Sequence, residues 1–254
     1  MSTVRFINYA MLEELDPIPF GARRPFPWTA INQLLTTEAF STLLSEFPAL
    51  DWFEKHENMA RANYQRPHNR FYLAYERSIY HPNDRNTPGI IKHHELPRSW
   101  REFIEELEGD LYRSFISALF GVSRFTVRYA WHISVVGSEV SPHRDAANKA
   151  GTHIFYFNTS HDWREEWGGS TLVLDGKRTP LENPEFQDFN TATRVQFLDN
   201  RSFLFRNTRD AWHGMQKLLP PGREQRRIFN VIFETEETKR SKSLLAGVRG
   251  LLDR

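Results

Sequence analysis

The chain of 254 residues contains no cysteine. That absence removes disulfide bridges, thiolate zinc sites and cysteine nucleophiles at once. Any metal must be held by His, Asp or Glu, a donor set that suits iron or manganese better than structural zinc. Charge of one sign is also lacking: Lys+Arg total 33 and Asp+Glu 32, a formal net charge of +1. No global field therefore calls for nucleic acid or a membrane surface as partner. Long apolar runs are absent and the mean hydropathy is −0.59, so no membrane-spanning helix is expected. The first twelve residues lack a basic segment followed by an apolar one, so no signal peptide is expected and a cytoplasmic location is the default. Internal repeats and low-complexity segments are missing too. Aromatic residues are plentiful, with 20 Phe and 7 Trp, enough for the packed core of one large domain or a domain with an extension.

The pattern changes character along the chain. Residues 27–53 read as helical: Thr36 or Thr37 is placed to cap, Glu38 follows closely, and Phe40, Leu43, Leu44 and Phe47 recur at helical spacing before Pro48. Residues 99–119 read as a second helix, with Trp100, Phe103, Ile104, Leu107, Leu111, Phe115, Ile116 and Leu119 on one stripe and Gly121 as its stop. Beyond it the periodicity turns to strands, expected over 125–136, 152–158, 170–174, 193–198, 202–205 and 227–233, with Asp199-Asn200 as a turn. The fold class expected is α+β with a mainly β core, a jelly-roll or cupin-like barrel carried on N-terminal helices. Three regions follow: an N-terminal helical, substrate-covering part (1–120), a β core (121–236) and a helical tail (237–254). The tail places Leu244, Leu245, Val248, Leu251 and Leu252 on one face, which is expected to dock on the body or on a second copy as a homodimer.

Within the β-rich part, His143-Arg144-Asp145 follows a strand and a short turn, and His213 follows a later strand. Two histidines and one carboxylate are the ligands of the facial triad, which holds non-haem Fe(II) on one face and leaves the opposite positions open. A His-x-Asp triplet alone does not separate a ligand from an ordinary hydrogen-bonded histidine. The chain has 10 His; His68, His81, His93, His94 and His161 lie in polar, loop-like contexts and read as solvated, and His153 lies in a strand where a satisfied core group is an equal alternative to a ligand.

Five segments in order add context: Tyr129-Ala130-Trp131-His132-Ile133-Ser134 leading to His143-Arg144-Asp145; Ile154-Phe155-Tyr156-Phe157-Asn158; Asp162-Trp163 with Gly168-Gly169-Ser170-Thr171-Leu172; Asn200-Arg201-Ser202-Phe203-Leu204-Phe205 before Trp212-His213-Gly214; and Arg226-Arg227-Ile228-Phe229-Asn230-Val231-Ile232-Phe233. In this order the C-terminal half resembles the double-stranded β-helix core of the Fe(II)/2-oxoglutarate-dependent dioxygenases, nearest the prolyl-hydroxylase-like branch. The resemblance implies Fe(II) on His143, Asp145 and His213, with 2-oxoglutarate and O₂ as co-substrates and ascorbate as a supporting reductant. It also implies a cation for the distal carboxylate of 2-oxoglutarate, for which an arginine fork is suited. Arg226 shares a strand face with Ile228 and Asn230, whereas Arg227 shares the other with Phe229, Val231 and Phe233. Arg226 is preferred and Arg227 is the fallback. Tyr156 matches a position where relatives place a hydroxyl on the same carboxylate, and Thr152 lies on the same strand face. Halogenating relatives carry a small residue at the carboxylate position, so Asp145 favours hydroxylation or another oxidation.

The substrate expected is a small molecule, an amino acid or a peptide, held by loops at the barrel mouth. Residues 63–72 mix Arg, His, Asn and Tyr, and residues 174–193 read as a lid. Two rivals remain: a cupin-like metal oxygenase independent of 2-oxoglutarate, and a non-catalytic barrel that binds without reacting.

Overall fold

The computed structural model describes residues 5–57, 66, 68–83 and 88–235. Helices α1 (Tyr9–Glu13), α2 (Pro17–Ala22), α3 (Thr37–Ser45), α4 (Arg98–Glu108) and α5 (Asp110–Phe120) lie in the first half. Strands β1 (Trp28–Asn32), β2 (Glu54–His56), β3 (Arg70–Tyr75) and β4 (Ile90–Ile91) are interspersed with them. The remaining strands follow: β5 (Thr126–Ser134), β6 (Val140–His143), β7 (Lys149–Tyr156), β8 (Leu172–Lys177), β9 (Phe189–Arg194), β10 (Arg201–Arg206), β11 (His213–Met215) and β12 (Arg226–Glu234). They form an eight-stranded sheet in the order β1-β10-β7-β12-β5-β3-β2, with β4 alongside β3, and a four-stranded sheet in the order β6-β11-β8-β9. The sheets share no strand, and their inner faces bury Ile154, Phe203 and Phe205 with Val173 and Met215 in one cluster. This is a double-stranded β-helix built as two packed sheets, without the closed ring that the word barrel implies.

The two faces of the large sheet have opposite chemistry, and that opposition follows from a side-chain period of two. On the outer face, Tyr129, Trp131 and Ile133 of β5 and Phe229, Val231 and Phe233 of β12 join the main core. Helix α4 supplies the other half, because Trp100, Phe103, Ile104 and Leu107 recur at i, i+3, i+4 and i+7. Trp100 is fully buried, and its ring lies 5.1–5.3 Å from those of Phe229, Trp131 and Phe157. Aromatic pairs of this kind contribute roughly 0.5–1.5 kcal/mol each beyond the area they bury. The inner face instead carries Arg128, His132 and Ser134 from β5 and Arg226 and Asn230 from β12. Polar side chains inside a folded chain are costly unless something satisfies them, so this face marks where a ligand belongs.

Several expectations need correcting. Residues 27–53 are not one helix: Trp28–Asn32 is a strand that pairs with β10, and only Thr37–Ser45 is helical. Thr36 caps it through Oγ1, which accepts from the Ala39 N–H at 3.2 Å. The long helix breaks at Gly109, whose ψ of 157° is extended, and Leu111 of its stripe is 61% exposed. Gly121 ends α5 at φ 67°, a left-handed conformation that glycine adopts without Cβ strain. The strand expected over 193–198 lies earlier, at Phe189–Arg194, where it pairs with β8. Both ends of the supposed lid, 174–177 and 189–193, are thus arms of a hairpin, and residues 178–188 connect them. The N-terminal part is not simply helical, because β1 flanks β10 and β3 flanks β5 within the large sheet. Its Phe6, Leu43 and Phe103 share one core with Phe155 and Phe229. The tail face over 244–252 lies outside the described residues. Among the described residues no helix is long and apolar enough to cross a membrane.

His153 has a further consequence for stability. It is fully buried; Nδ1 lies 2.7 Å from the Tyr112 hydroxyl and Nε2 lies 3.0 Å from Ser202 Oγ. Burial pushes its pKa down to about 3. In the unfolded chain an imidazole titrates near 6.5, so between these values the unfolded state binds the extra proton. The stabilisation is fully present above about pH 6.5 and is lost as pH falls towards 3, by about 1.4 kcal/mol per unit from this residue. Urea unfolding at pH 7, 6 and 5 should show that slope, and His153→Gln should flatten it. Equal slopes in the two proteins would refute the assignment.

Candidate active site

The small sheet places the three predicted ligands together. His143 closes β6, His213 opens β11, and the two are register partners. Asp145 lies two residues past the strand end. One ligand atom from each of His143, Asp145 and His213 falls within 4.8 Å of the others. The imidazole centroids are 4.3 Å apart, and His143 Nε2 is 3.9 Å from Asp145 Oδ1, too long for a hydrogen bond.

The backbone sets the tautomers. His143 Nδ1 lies 3.1 Å from the Ser141 carbonyl and His213 Nδ1 lies 3.0 Å from the Ala211 carbonyl. Each carbonyl accepts the Nδ1 proton, so each Nε2 keeps its lone pair for a cation, the usual outer-shell arrangement of a metal-binding histidine. Burial would raise the Asp145 carboxyl, but Lys149, His213 and His143 outweigh it and hold it well below the usual carboxylate range. Lys149 Nζ donates to Oδ1 at 2.8 Å and Thr152 Oγ1 donates to Oδ2 at 3.2 Å. Two neutral imidazoles and an oriented carboxylate are a fitting donor set for Fe(II).

These ligands open into a cavity of about 420 Å³ between the sheets. Arg226 lines it and is buried. Its Nε donates to the Gly169 carbonyl at 2.6 Å, and its guanidinium carbon lies 5.4 Å from the Tyr156 ring centroid. Burial lowers its pKa to about 10, so it remains a cation. Among the described residues no carboxylate pairs with it.

The other predicted contacts are placed differently. Arg227 points to the opposite face and forms an ion pair with Asp162, while its N–H donates to Asn158 Oδ1 at 2.7 Å. It anchors the turn after β7 and does not line the cavity. The Tyr156 hydroxyl is 2.7 Å from Thr171 Oγ1 behind Arg226, and Tyr156 is not among the residues lining the cavity. Thr152 does line it, but its hydroxyl serves Asp145. His132 lines it as well, whereas Trp212 packs against Phe189 and under Lys177 and Arg144. His68, read as solvated, is buried with its ring 5.0 Å from that of His143. Of residues 63–72, positions 63–65 and 67 lie outside the described residues, while Arg70 and Tyr72 face the cavity. Lys149 and Arg128 went unnoticed in the sequence. Arg128 was available from the period of two that puts it on one strand face with His132 and Ser134, and Lys149 from its place four residues after Asp145.

Fold and site together define a mononuclear, non-haem metal centre in a double-stranded β-helix, with a buried cation deep in the same cavity. The family model of the 2OG-Fe(II) oxygenase superfamily matches residues 125–234, the stretch that carries the triad and Arg226; enzymes of that superfamily are oxidoreductases that use Fe(II), 2-oxoglutarate and O₂. No curated protein matches the sequence. Among solved structures, a prolyl-4-hydroxylase from Pseudomonas putida aligns with TM-score 0.55 at 11% identity, over 90% of this chain and 98% of that one. A prolyl hydroxylase from Trichoplax adhaerens, in complex with a hypoxia inducible factor peptide fragment, aligns with TM-score 0.53 at 15% identity, over 82% and 84%. HygX from Streptomyces hygroscopicus, with nickel and 2-oxoglutarate bound, aligns with TM-score 0.53 at 11% identity, over 83% and 84%. At these identities the likeness is one of fold.

Proposed function

We propose that this oxygenase hydroxylates an unactivated C–H bond of a small molecule or amino-acid-type substrate, with His143, Asp145 and His213 holding the iron and Arg226 taking the distal carboxylate of 2-oxoglutarate. The reaction balances: one oxygen atom of O₂ enters succinate as CO₂ leaves, and the other enters the product. The observation that carries the reading is Arg226, a desolvated cation without a carboxylate partner, in the same cavity as the triad. A buried charge of this kind is strongly unfavourable alone and is satisfied by a ligand carboxylate meeting its fork. Bound iron supplies O₂ activation; the chain supplies placement and dry walls. Lys149 and Thr152 keep Asp145 ionised and oriented, the Ser141 and Ala211 carbonyls hold the Nδ1 protons so that Nε2 is the atom turned to the metal, and Ile154, Ile228 and Phe205 supply apolar wall to the cavity. A cavity of about 420 Å³ suits a co-substrate and a small organic substrate. Cytoplasmic residence, a homodimer through the tail and support by ascorbate belong to the same proposal. Purified protein supplied with Fe(II), ascorbate and 2-oxoglutarate should release succinate, and a matching metabolite extract should stimulate it. A preparation that consumes O₂ with no dependence on 2-oxoglutarate would favour the cupin-like alternative.

A further inference from the structure

The cavity holds more positive charge than one co-substrate needs. Arg70, Arg128, Arg144, Lys149 and Arg226 all line it. Lys149 is matched by Asp145, Arg128 by Glu234 at 3.0 Å and Arg144 by Glu182 at 3.4 Å. Arg70 and Arg226 remain, and among the described residues neither has a carboxylate partner. Arg70 Nη2 donates to the Tyr80 hydroxyl at 3.3 Å, and among the described residues its buried Nε has no hydrogen-bond partner.

The sheet register separates the two cations. Arg226 opens β12, whereas Arg70 opens β3, which lies beyond β5 in the same sheet. Around Arg70 the wall is aromatic and polar. Tyr72 is the register partner of His132, and their rings are 5.2 Å apart; Tyr80 meets Tyr72 edge-on at 5.1 Å. Two further buried atoms on this wall, His132 Nδ1 and Asn230 Oδ1, have no hydrogen-bond partner among the described residues. Burial, helped by Arg70, His56, Arg128 and Arg226, holds His132 well below its ordinary pKa. It is therefore neutral and does not compete for an anion. A cation, an aromatic wall and unpaired polar atoms in one cavity are what a polar, charged organic ligand requires.

We propose that Arg70 anchors a second anion subsite, so that the molecule oxidised carries a carboxylate or phosphate group against Arg70, with Tyr72, Tyr80 and His132 around its body. The proposal rests on the reading that Arg226 receives 2-oxoglutarate. One carboxylate occupies one arginine fork, so the second fork needs a second anion. Arg226, fully enclosed, suits the common co-substrate; Arg70, half-buried, suits the group that must enter last.

The test uses the full chain loaded with Mn(II) and saturating 2-oxoglutarate, titrated calorimetrically with phenylacetate, phenyl phosphate and phenylacetamide. At least one anion should bind about 10-fold or more tightly than the neutral amide, as one charge-assisted contact implies, and the tighter anion identifies the group. Arg70→Met should bring the anion down to the amide's affinity without altering the 2-oxoglutarate Kd, and Arg70→Lys should restore part of it. An unchanged thermal midpoint shows that the variant is folded. Equal affinities, no binding of any probe, no effect of Arg70→Met, or anion binding only when 2-oxoglutarate is omitted would each overturn the subsite. Failure of the underlying reading looks different: 2-oxoglutarate would not bind the wild-type protein, or would be lost in Arg70→Met and kept in Arg226→Met, and the subsite would fall with it.

Discussion

Asp145→Ala is expected to strip the metal from the protein and abolish succinate release. Asp145 is the sole anion of the triad, and two neutral imidazoles alone hold a hard divalent cation poorly. The substitution also frees Lys149, whose ammonium sits 2.8 Å from the carboxylate. Without Asp145, that charge lies beside the site and opposes a second cation. Loss of an outer-shell partner of a metal site already costs about 10–100-fold in affinity, so loss of the anionic ligand should exceed the upper figure. Metal content after loading with Fe(II) under argon and desalting reads the effect directly. His143→Ala and His213→Ala should behave alike. Asp145→Ala protein that retains a full equivalent of iron would remove the triad from consideration. Lys149→Met is the informative contrast, because the carboxylate stays while its neutralising neighbour goes, and iron should be retained.

Arg226→Met is expected to weaken 2-oxoglutarate binding by about 2–5 kcal/mol, roughly 30-fold to several thousand-fold in Kd. Arg226 is enclosed, cationic and unmatched, so the whole of its interaction with a carboxylate falls in a water-poor environment. The same desolvation predicts an unusual companion result. Without ligand, Arg226→Met protein should unfold at the same temperature as wild type or higher, since an uncompensated buried charge is replaced by an apolar chain of similar length. Arg226→Lys keeps the charge but loses the fork and the Nε bond to Gly169, and should fall between. Arg227→Met should leave the Kd alone and loosen the turn at Asp162. Equilibrium titration of the Mn(II)-loaded variants and thermal melts of the metal-free proteins check both halves. An unchanged Kd in Arg226→Met would end the assignment, whatever the melts show.

The β12 strand shows how far local pattern reaches. Alternation alone separates Arg226, Ile228 and Asn230 from Arg227, Phe229 and Val231, and the structure puts the first set on the cavity and Phe229 and Val231 on the core with α4, with Arg227 paired to Asp162. The α4 stripe and the Asp199-Asn200 turn are local in the same sense; both turn residues adopt φ near 60°, which short polar side chains tolerate. Trp28–Asn32 failed because its strand state depends on β10, about 170 residues away in the chain, and nothing nearby announces that partner. His68 failed likewise: a polar neighbourhood in sequence became a buried position beside His143. Thr152 and Tyr156 lie on the inner-facing set as expected, but the hydrogen-bond partners of their hydroxyls, Asp145 and Thr171, are set by the loop after β6 and the segment before β8.

Taken alone, the sequence determined which residue types could bind a metal, which faces of the strands were polar, and the order in which the ligand-bearing segments appear. Those properties are written in composition and short-range period. Only the tertiary structure decided that β6 and β11 bring His143 and His213 into register, that Lys149 and Thr152 support Asp145, and that two arginines on separate strands share one cavity with no carboxylate partner among the described residues. The physical reason is that ion pairing and burial depend on distances between segments far apart along the chain, and residue-by-residue patterns carry no record of them.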